Sequence, residues 1–454
     1  MNELNNISSV YFLGIGGIGM SALARYFNSR GIKVSGYDKT ETALTKQLVA
    51  EGIRIHYEDD ISLIDKQATL IVYTPAIPKD HQGYNYFLTH DEYTLMKRSA
   101  VLGMITRNSY SICVAGTHGK TTTSAMIAHI LRDTGYGCNA FLGGIASNYD
   151  TNFWADDKNV SVAEADEYDR SFLQLSPDVA VITSMDADHL DIYGTAENLQ
   201  EAFIEFSSKI KEGGLLLCKY GLKRNDEFKV PNMIRYSLYD KHADVRPENI
   251  KINNGSYQFD VKINEDVIKD VELNMGGMHN IENVIAAITV AKHVGITDEK
   301  IKEAVAKFKG VKRRFEYIIK EDGLVMIDDY AHHPEELRAL IIGAKELFPG
   351  KKCMVVFQPH LFSRTKDFAD GFGEVLSIPD EVVLLPIYPA RELPMEGVTS
   401  EMIMERMKMK DAKVLSKEAL LEAMRKSKPE LLIICGAGDI DTLVEPIRAI
   451  LINK

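Results

Sequence analysis

The stretch Val114-Ala-Gly-Thr-His-Gly-Lys-Thr-Thr-Thr123 decides how the chain is read. The apolar run Ser111-Ile-Cys-Val114 enters it as a buried strand, and Thr121 to Arg132 leaves it with helical spacing, with Met126, Ile127, Ile130 and Leu131 apolar. Strand, glycine loop and helix, with Lys then Thr at the turn, make a phosphate cradle. The glycines let backbone N–H groups close on an anion, and the helix start adds partial positive charge. Lys120 is then expected at the β/γ-phosphates and the Thr121 hydroxyl at Mg2+. Gly116, Thr117, His118, Gly119, Lys120, Thr121 and Thr122 are the expected nucleotide contacts. Val114 stands where the general pattern has its first Gly, so Gly116 and Gly119 carry the turn alone. The bland alternative is a glycine turn before an ordinary helix. The Gly-Lys-Thr-Thr-Thr run argues against it.

Upstream, a strand candidate from Ser9 to Leu13 precedes Gly14-Ile-Gly16-Gly-Ile-Gly19, and Met20 to Arg30 reads as a helix. Lys33 to Tyr37 is a second strand and ends at Asp38. This is G-x-G-x-x-G in its strand–helix setting with an acid about 20 residues on, the pattern of a nucleotide diphosphate site. A tight-packing glycine turn is the alternative. Thr69 to Tyr73 is a strand stopped by Thr74-Pro-Ala-Ile-Pro78, and such loops at strand carboxyl ends bind ligands in open sheets. Everything up to Arg107 forms one α/β unit.

Downstream, Cys138 to Leu142 reads as a strand running into Gly143-Gly144. Two further strands end in acids, Asn159 to Ala163 in Glu164-Ala-Asp-Glu167 and Asp178 to Ile182 in Asp186-Ala-Asp188-His189. A sheet delivers such side chains to the phosphate loop, and Mg2+ takes few protein oxygens. Two solvated acidic turns are the alternative. From Ile250 to Leu273 the pattern alternates around Asn254-Gly255, a hairpin signal, so a small antiparallel section is expected on the central domain. Met278-His279-Asn280-Ile-Glu-Asn283 opens a helix with Asn280 and Asn283 on one face. They are ligand contacts or helix caps.

After Lys312-Arg-Arg314 the strand–helix alternation resumes. Strands end at Asp328-Asp-Tyr330-Ala-His332-His333-Pro334, at Gln358-Pro-His360-Leu-Phe-Ser-Arg364, at Pro386-Ile-Tyr388 and at Gly436-Ala-Gly438-Asp439. The fold class is α/β with three domains. Residues 1–107 form a Rossmann-like unit, 108–312 a central P-loop ATPase-like unit with the antiparallel section, and 313–454 a second Rossmann-like unit.

The 454 residues, 45% hydrophobic and 26% charged, are those of a globular protein. The formal charge of −12 argues against a nucleic-acid partner. No apolar run is long enough for a bilayer and no secretory leader is visible, so a cytoplasmic protein without membrane insertion is expected. The five dispersed cysteines read as reduced thiols. No spacing suggests zinc or a covalent nucleophile.

Taken together, Gly14-Ile-Gly-Gly-Ile-Gly-Met-Ser21, Gly116-Thr-His-Gly-Lys-Thr-Thr-Thr123, Glu164-Ala-Asp-Glu167, Asp188-His189, His279-Asn-x-x-Asn283 and Asp328-Asp-Tyr-Ala-His-His-Pro334 occur in an order that resembles the Mur ligases, over essentially the whole chain. The resemblance implies an ATP-dependent amide synthesis in peptidoglycan precursor formation. The lactyl carboxylate of UDP-N-acetylmuramate attacks the ATP γ-phosphate, and the L-alanine amine then attacks the acyl phosphate. It implies Lys120 as charge neutraliser, Thr121 and Glu164 as Mg2+ ligands, with Mn2+ as a substitute ion, and His189 as ligand to a second metal. Asn280, Asn283, Arg314 and Asp328 correspond to ATP contacts. Gly16, Gly17, Ile18, Gly19, Asp38, Thr74, Ala76 and Ile77 correspond to the uridine-diphosphate site. Tyr330, His332 and Arg364 correspond to amino-acid and acyl-phosphate contacts, and an Arg fork suits a carboxylate. Leu361 departs from the family, in which many members carry Arg after the His of Gln-Pro-His. The domains are expected to close on their ligands, in a monomer or weak homodimer. Three competing functions are a ligase of the same superfamily adding a recycled peptide, an NAD(P)-dependent oxidoreductase using the first glycine loop, and a non-enzymatic ATP-dependent regulator.

Overall fold

The first sheet is wholly parallel, in the order Arg54–His56, Lys33–Tyr37, Ser9–Leu13, Leu70–Tyr73, Thr94–Lys97. The first strand of the chain therefore sits in the middle. Its successors lie on opposite sides of it, which opens a crevice at its carboxyl end where the glycine loop emerges. The structure, a computed structural model, describes residues 7–390, 392–409 and 411–452. The helix after the glycine loop runs Ile18–Ser29, starting two residues before the expected Met20. Gly17 is its N-cap and supplies no side chain to the first-turn N–H groups, which leaves them available to an anion.

The central sheet has ten strands, ordered Asp266–Leu273, Ser256–Ile263, Val245–Asn253, Asn232–Tyr236, Leu215–Lys219, Val179–Ile182, Tyr110–Ala115, Val160–Ala165, Asn139–Ala146 and Thr151–Trp154. The Asn254-Gly255 turn has φ of +47° and +72°, the left-handed pair of a type I′ hairpin. The strand expected from Cys138 to Leu142 continues through Gly143 and Gly144 to Ala146. A Cβ on Gly143 would lie 2.0 Å from a Glu164 carboxylate oxygen, so the glycine lets a buried acid pack against a strand.

The third sheet is ordered Glu316–Glu321, Leu324–Asp329, Leu431–Cys435, Cys353–Phe357, Glu381–Leu384, Ala412–Val414, with only the first pair antiparallel. The chain packs as two compact units. One comprises residues up to Glu248 with Asp260–Lys269 and Glu282–Val305. The other comprises Asn249–Phe259, Asp270–Ile281 and residues from Ala306. The N-terminal sheet and most of the central sheet thus share a unit and one apolar cluster, in which Tyr26 packs on Phe141 and Phe153. Burying an aromatic ring of this size contributes on the order of 4 kcal/mol of gross transfer free energy. Asn152, fully buried, ties the same two regions by donating to the Ile18 carbonyl and accepting from Arg25. All five cysteines are buried free thiols, and among the described residues no helix is long and apolar enough to cross a membrane.

Candidate active site

Strand pairing sets Val114 opposite Glu164, and Ala115 opposite both Ala165 and Ile182. The phosphate loop and the two acidic turns therefore leave three neighbouring strands side by side. Gly116 has φ +137°, and a Cβ there would sit 2.1 Å from Thr183 Oγ1. Gly119, at φ +83°, caps the helix Lys120–Asp133 and would place a Cβ 2.9 Å from Asn283 Oδ1. Only glycine suits either position. The turn after Val179–Ile182 braces the loop. Ser184 Oγ accepts the His118 N–H at 2.8 Å and pairs with Thr117 Oγ1 at 2.9 Å, which in turn accepts the Asp186 N–H at 3.2 Å. Thr122 is buried behind the loop.

Lys120 Nζ donates to the Gly116 carbonyl at 2.6 Å and to Glu167 at 2.8 Å. The Thr121 hydroxyl lies 3.0 Å from both oxygens of Glu164. Burial raises the Glu164 carboxyl above the usual carboxylate range, against the lowering by Lys120 and by the Thr121 hydroxyl. A buried carboxylate beside a hydroxyl is a hard-oxygen donor pair that fits Mg2+, which would hold the acid ionised. His189 is grouped with Glu167 and Asp188, one ligand atom of each within 4.8 Å of the others. This set fits a divalent ion less well, because imidazole is softer than Mg2+ prefers. His189 is left-handed at φ +48°, as are Asp169 and Arg170 nearby. Left-handed non-glycine residues cost on the order of 1–3 kcal/mol each and cluster at functional sites.

A cavity of about 740 Å3 joins this centre to the N-terminal glycine loop. Gly14, Gly16, Gly17, Ile18 and Gly19 line it together with Asp38, Lys39, Thr74, Ala76, Ile77 and Pro78. Phe141, Leu142, Gly143, Glu164 and Asp166 line it too. Asp38 is tied to the loop, since its Oδ2 accepts the Gly16 N–H at 2.7 Å. Arg98 lies against Gly19 and 3.4 Å from Asp166, and all three line the cavity.

In the second unit, Asp328 is almost wholly buried, with the Arg313 guanidinium 3.7 Å away. Burial pushes its carboxyl up to about 7 despite Arg313, with Glu316, Asp329 and Asp441 adding to the rise. Asp329 accepts the N–H groups of Phe315 and Ala331 at 2.6 and 2.7 Å. Arg314 sits over the Tyr330 ring, its guanidinium carbon 5.7 Å from the centroid. Tyr330 packs edge-on to His332, and His360 meets Arg364 at 3.1 Å and stacks on Tyr388. Asn280 turns back to donate to the Gly276 carbonyl at 2.6 Å.

Residues 9–110 match the Mur ligase family catalytic domain, 114–291 the Mur ligase middle domain and 313–438 the Mur ligase glutamate ligase domain. The UDP-N-acetylmuramate–L-alanine ligase of Flavobacterium johnsoniae is 49% identical over 453 residues, 99% of each chain. The chain belongs to the Mur ligase family. Among solved Mur ligases, the UDP-N-acetylmuramate–alanine ligase of Thermotoga maritima superposes with a TM-score of 0.82 at 28% identity, covering 99% of both chains. A murein peptide ligase from Psychrobacter arcticus shares the fold, at TM-score 0.66 and 22% identity over 98% of this chain and 99% of its own.

In this Mur ligase four site residues were not singled out by sequence. Glu167 and Asp188 lie inside the acidic runs that were, and their strand-end position was the available signal. Arg98 and Arg313 carried none, because tertiary packing alone brings Arg98 to Gly19 and Asp166, and Arg313 rather than Arg314 to Asp328.

Proposed function

We propose that the chain joins L-alanine to the lactyl carboxylate of UDP-N-acetylmuramate with ATP, through an acyl phosphate. The observation that carries this is one cavity lined both by the diphosphate-type glycine loop and by Glu164. A sugar nucleotide held there by its diphosphate presents its far carboxylate to the γ-phosphate. Ile18 and Gly19 offer backbone N–H groups to the diphosphate, Gly16 and Gly17 let it approach the loop, Arg98 adds a bidentate cation, and Asp38, Thr74, Ala76 and Ile77 shape the nucleoside end. Lys120 exchanges Glu167 for the phosphate oxygens and spreads the charge of the transferring group. Thr121 and Glu164 would hold Mg2+, and His189 a second ion, and a metal bound there would add charge neutralisation. Asn280, Asn283, Arg314 and Asp328 serve the nucleotide, and Tyr330, His332 and Arg364 the amino acid. Domain limits at 107/108 and 312/313 belong to the same reading.

The reaction makes thermodynamic sense because a carboxylate is a poor acylating agent and phosphate a good leaving group. Phosphate release measured with UDP-N-acetylmuramate and alanine, serine, glycine or a tripeptide tests it. Release that requires both UDP-N-acetylmuramate and alanine is expected. Release with the tripeptide and not with alanine overturns the amino-acid assignment.

A further inference from the structure

The second unit holds two histidines whose partners assign them opposite tautomers. His332 Nδ1 lies 2.9 Å from the Tyr330 carbonyl oxygen. A carbonyl only accepts, so Nδ1 carries the hydrogen and Nε2 the lone pair. His360 Nδ1 lies 3.1 Å from Arg364 Nη1. A guanidinium only donates, so His360 Nδ1 holds the lone pair and Nε2 the hydrogen. The ring centroids are 6.3 Å apart. Glu336 stands behind His332. Its Oε2 accepts the N–H groups of His332 at 2.9 Å and His333 at 3.1 Å, and lies 3.3 Å from His332 Nδ1. Glu336 is the third residue of the helix Pro334–Leu347, so the capping box that starts the helix also fixes the carboxylate against the imidazole.

We propose that His332 is the base that removes a proton from the ammonium group of the incoming amino acid, that Glu336 is its positioning residue, and that His360 Nε2–H, beside Arg364, donates to the amino-acid carboxylate. This rests on the acyl-phosphate reading above. An amino acid arrives with its nitrogen protonated and without a lone pair to attack with. His332 Nε2 takes one N–H proton and leaves the electron pair on nitrogen. The N–C bond then forms at the acyl carbon, and the C–O bond to phosphate breaks. Phosphate departs with the bonding pair and accepts the surplus proton left on nitrogen. Glu336 stabilises the imidazolium that results, the role of a carboxylate behind a catalytic histidine. Burial holds His332 below the ordinary imidazole range. Glu336 and the Tyr330 carbonyl oppose that, while Arg364 and Arg314 add to it, so the ring is neutral and ready at pH 7. The rings of Tyr330, His333 and His360 complete its surroundings.

Hydroxylamine separates the steps, because it is already unprotonated at neutral pH and traps an acyl phosphate as a hydroxamate without a base. In full-length His332→Asn, alanine ligation should fall about 10²–10⁴-fold, while hydroxamate formation stays within about threefold of the parent enzyme. In Glu336→Gln, whose amide keeps the capping box, the acid limb of kcat/KM for alanine should move to lower pH and the plateau should drop. Parallel loss of hydroxamate and amide in His332→Asn overturns the proposal, and so does a lower plateau with an unmoved acid limb in Glu336→Gln. Absence of hydroxamate from the unaltered enzyme overturns the acyl-phosphate reading instead.

Discussion

Lys120 Nζ lies 2.7 Å from Glu167, whose side chain is 1% exposed. The residue expected to meet phosphate is thus already neutralised by a buried carboxylate. The pair keeps a cation in a dry loop at tolerable cost until a triphosphate competes for it.

Replacing Lys120 with alanine should therefore do two things. Ligation should fall by at least about 10²-fold, the scale of losing a preorganised charge at a developing anion. Stability should fall by up to about 3–5 kcal/mol, because Glu167 is left buried with only His189, 3.7 Å away, to offset its charge. Adding Glu167→Gln to Lys120→Ala should recover the melting temperature and none of the ligation. Undiminished ligation in Lys120→Ala would falsify the role given to the phosphate loop.

Glu164→Gln should raise the Mg2+ concentration that half-saturates ADP formation by about 10–100-fold, the usual consequence of weakening a metal shell. Without Mg2+ the variant should be no less stable than the parent, because burial already disfavours the charged form of Glu164. A magnesium titration and a thermal melt read both. An unchanged magnesium dependence would remove Glu164 from the metal site.

Asp328 and Asp329 are pushed up to about 7 and about 6. A carboxyl raised in the folded state binds more protons there than in the unfolded chain, so stability is lost as pH rises from about 4 to about 7. For Asp328 alone the upper bound is about 4 kcal/mol, at about 1.36 kcal/mol per unit. Asp328→Asn should flatten this decline and melt higher than the parent at pH 8. Melting curves between pH 4 and 8 that fall equally steeply in both proteins would contradict it.

Gly16→Ala would place a Cβ 2.8 Å from Asp38 Oδ2 and 2.7 Å from Thr45 Cγ2. The loop must shift, and KM for UDP-N-acetylmuramate should rise at least about tenfold while KM for ATP stays put, the loss expected when substrate positioning slips by a fraction of an ångström. Equal increases in both constants would show that the glycine loop does not serve one substrate alone.

The phosphate loop, the first glycine loop and the acidic strand ends were legible because backbone requirements and local spacing dictate them. Gly119 must be left-handed and a Lys must follow it, and no distant residue is needed to see that. That the strand runs on through Gly143 was not legible, because the reason for that glycine, the Glu164 carboxylate packed on it, comes from another strand. Arg98 and Glu336 escaped for the same kind of reason, since Lys97-Arg98 and Glu335-Glu336 read as ordinary surface charges until folding supplies their partners.

Sequence by itself determined the α/β class, the nucleotide loops and the residue types that carry the chemistry, since periodicity, glycine placement and motif order are properties of neighbouring residues along one chain. Only the tertiary structure decided that Glu167 neutralises Lys120, that Arg313 rather than Arg314 faces Asp328, and that His332 and His360 hold opposite tautomers. Those outcomes depend on burial and on partners brought together by folding, and it is burial and partners that set where a charge or a proton resides.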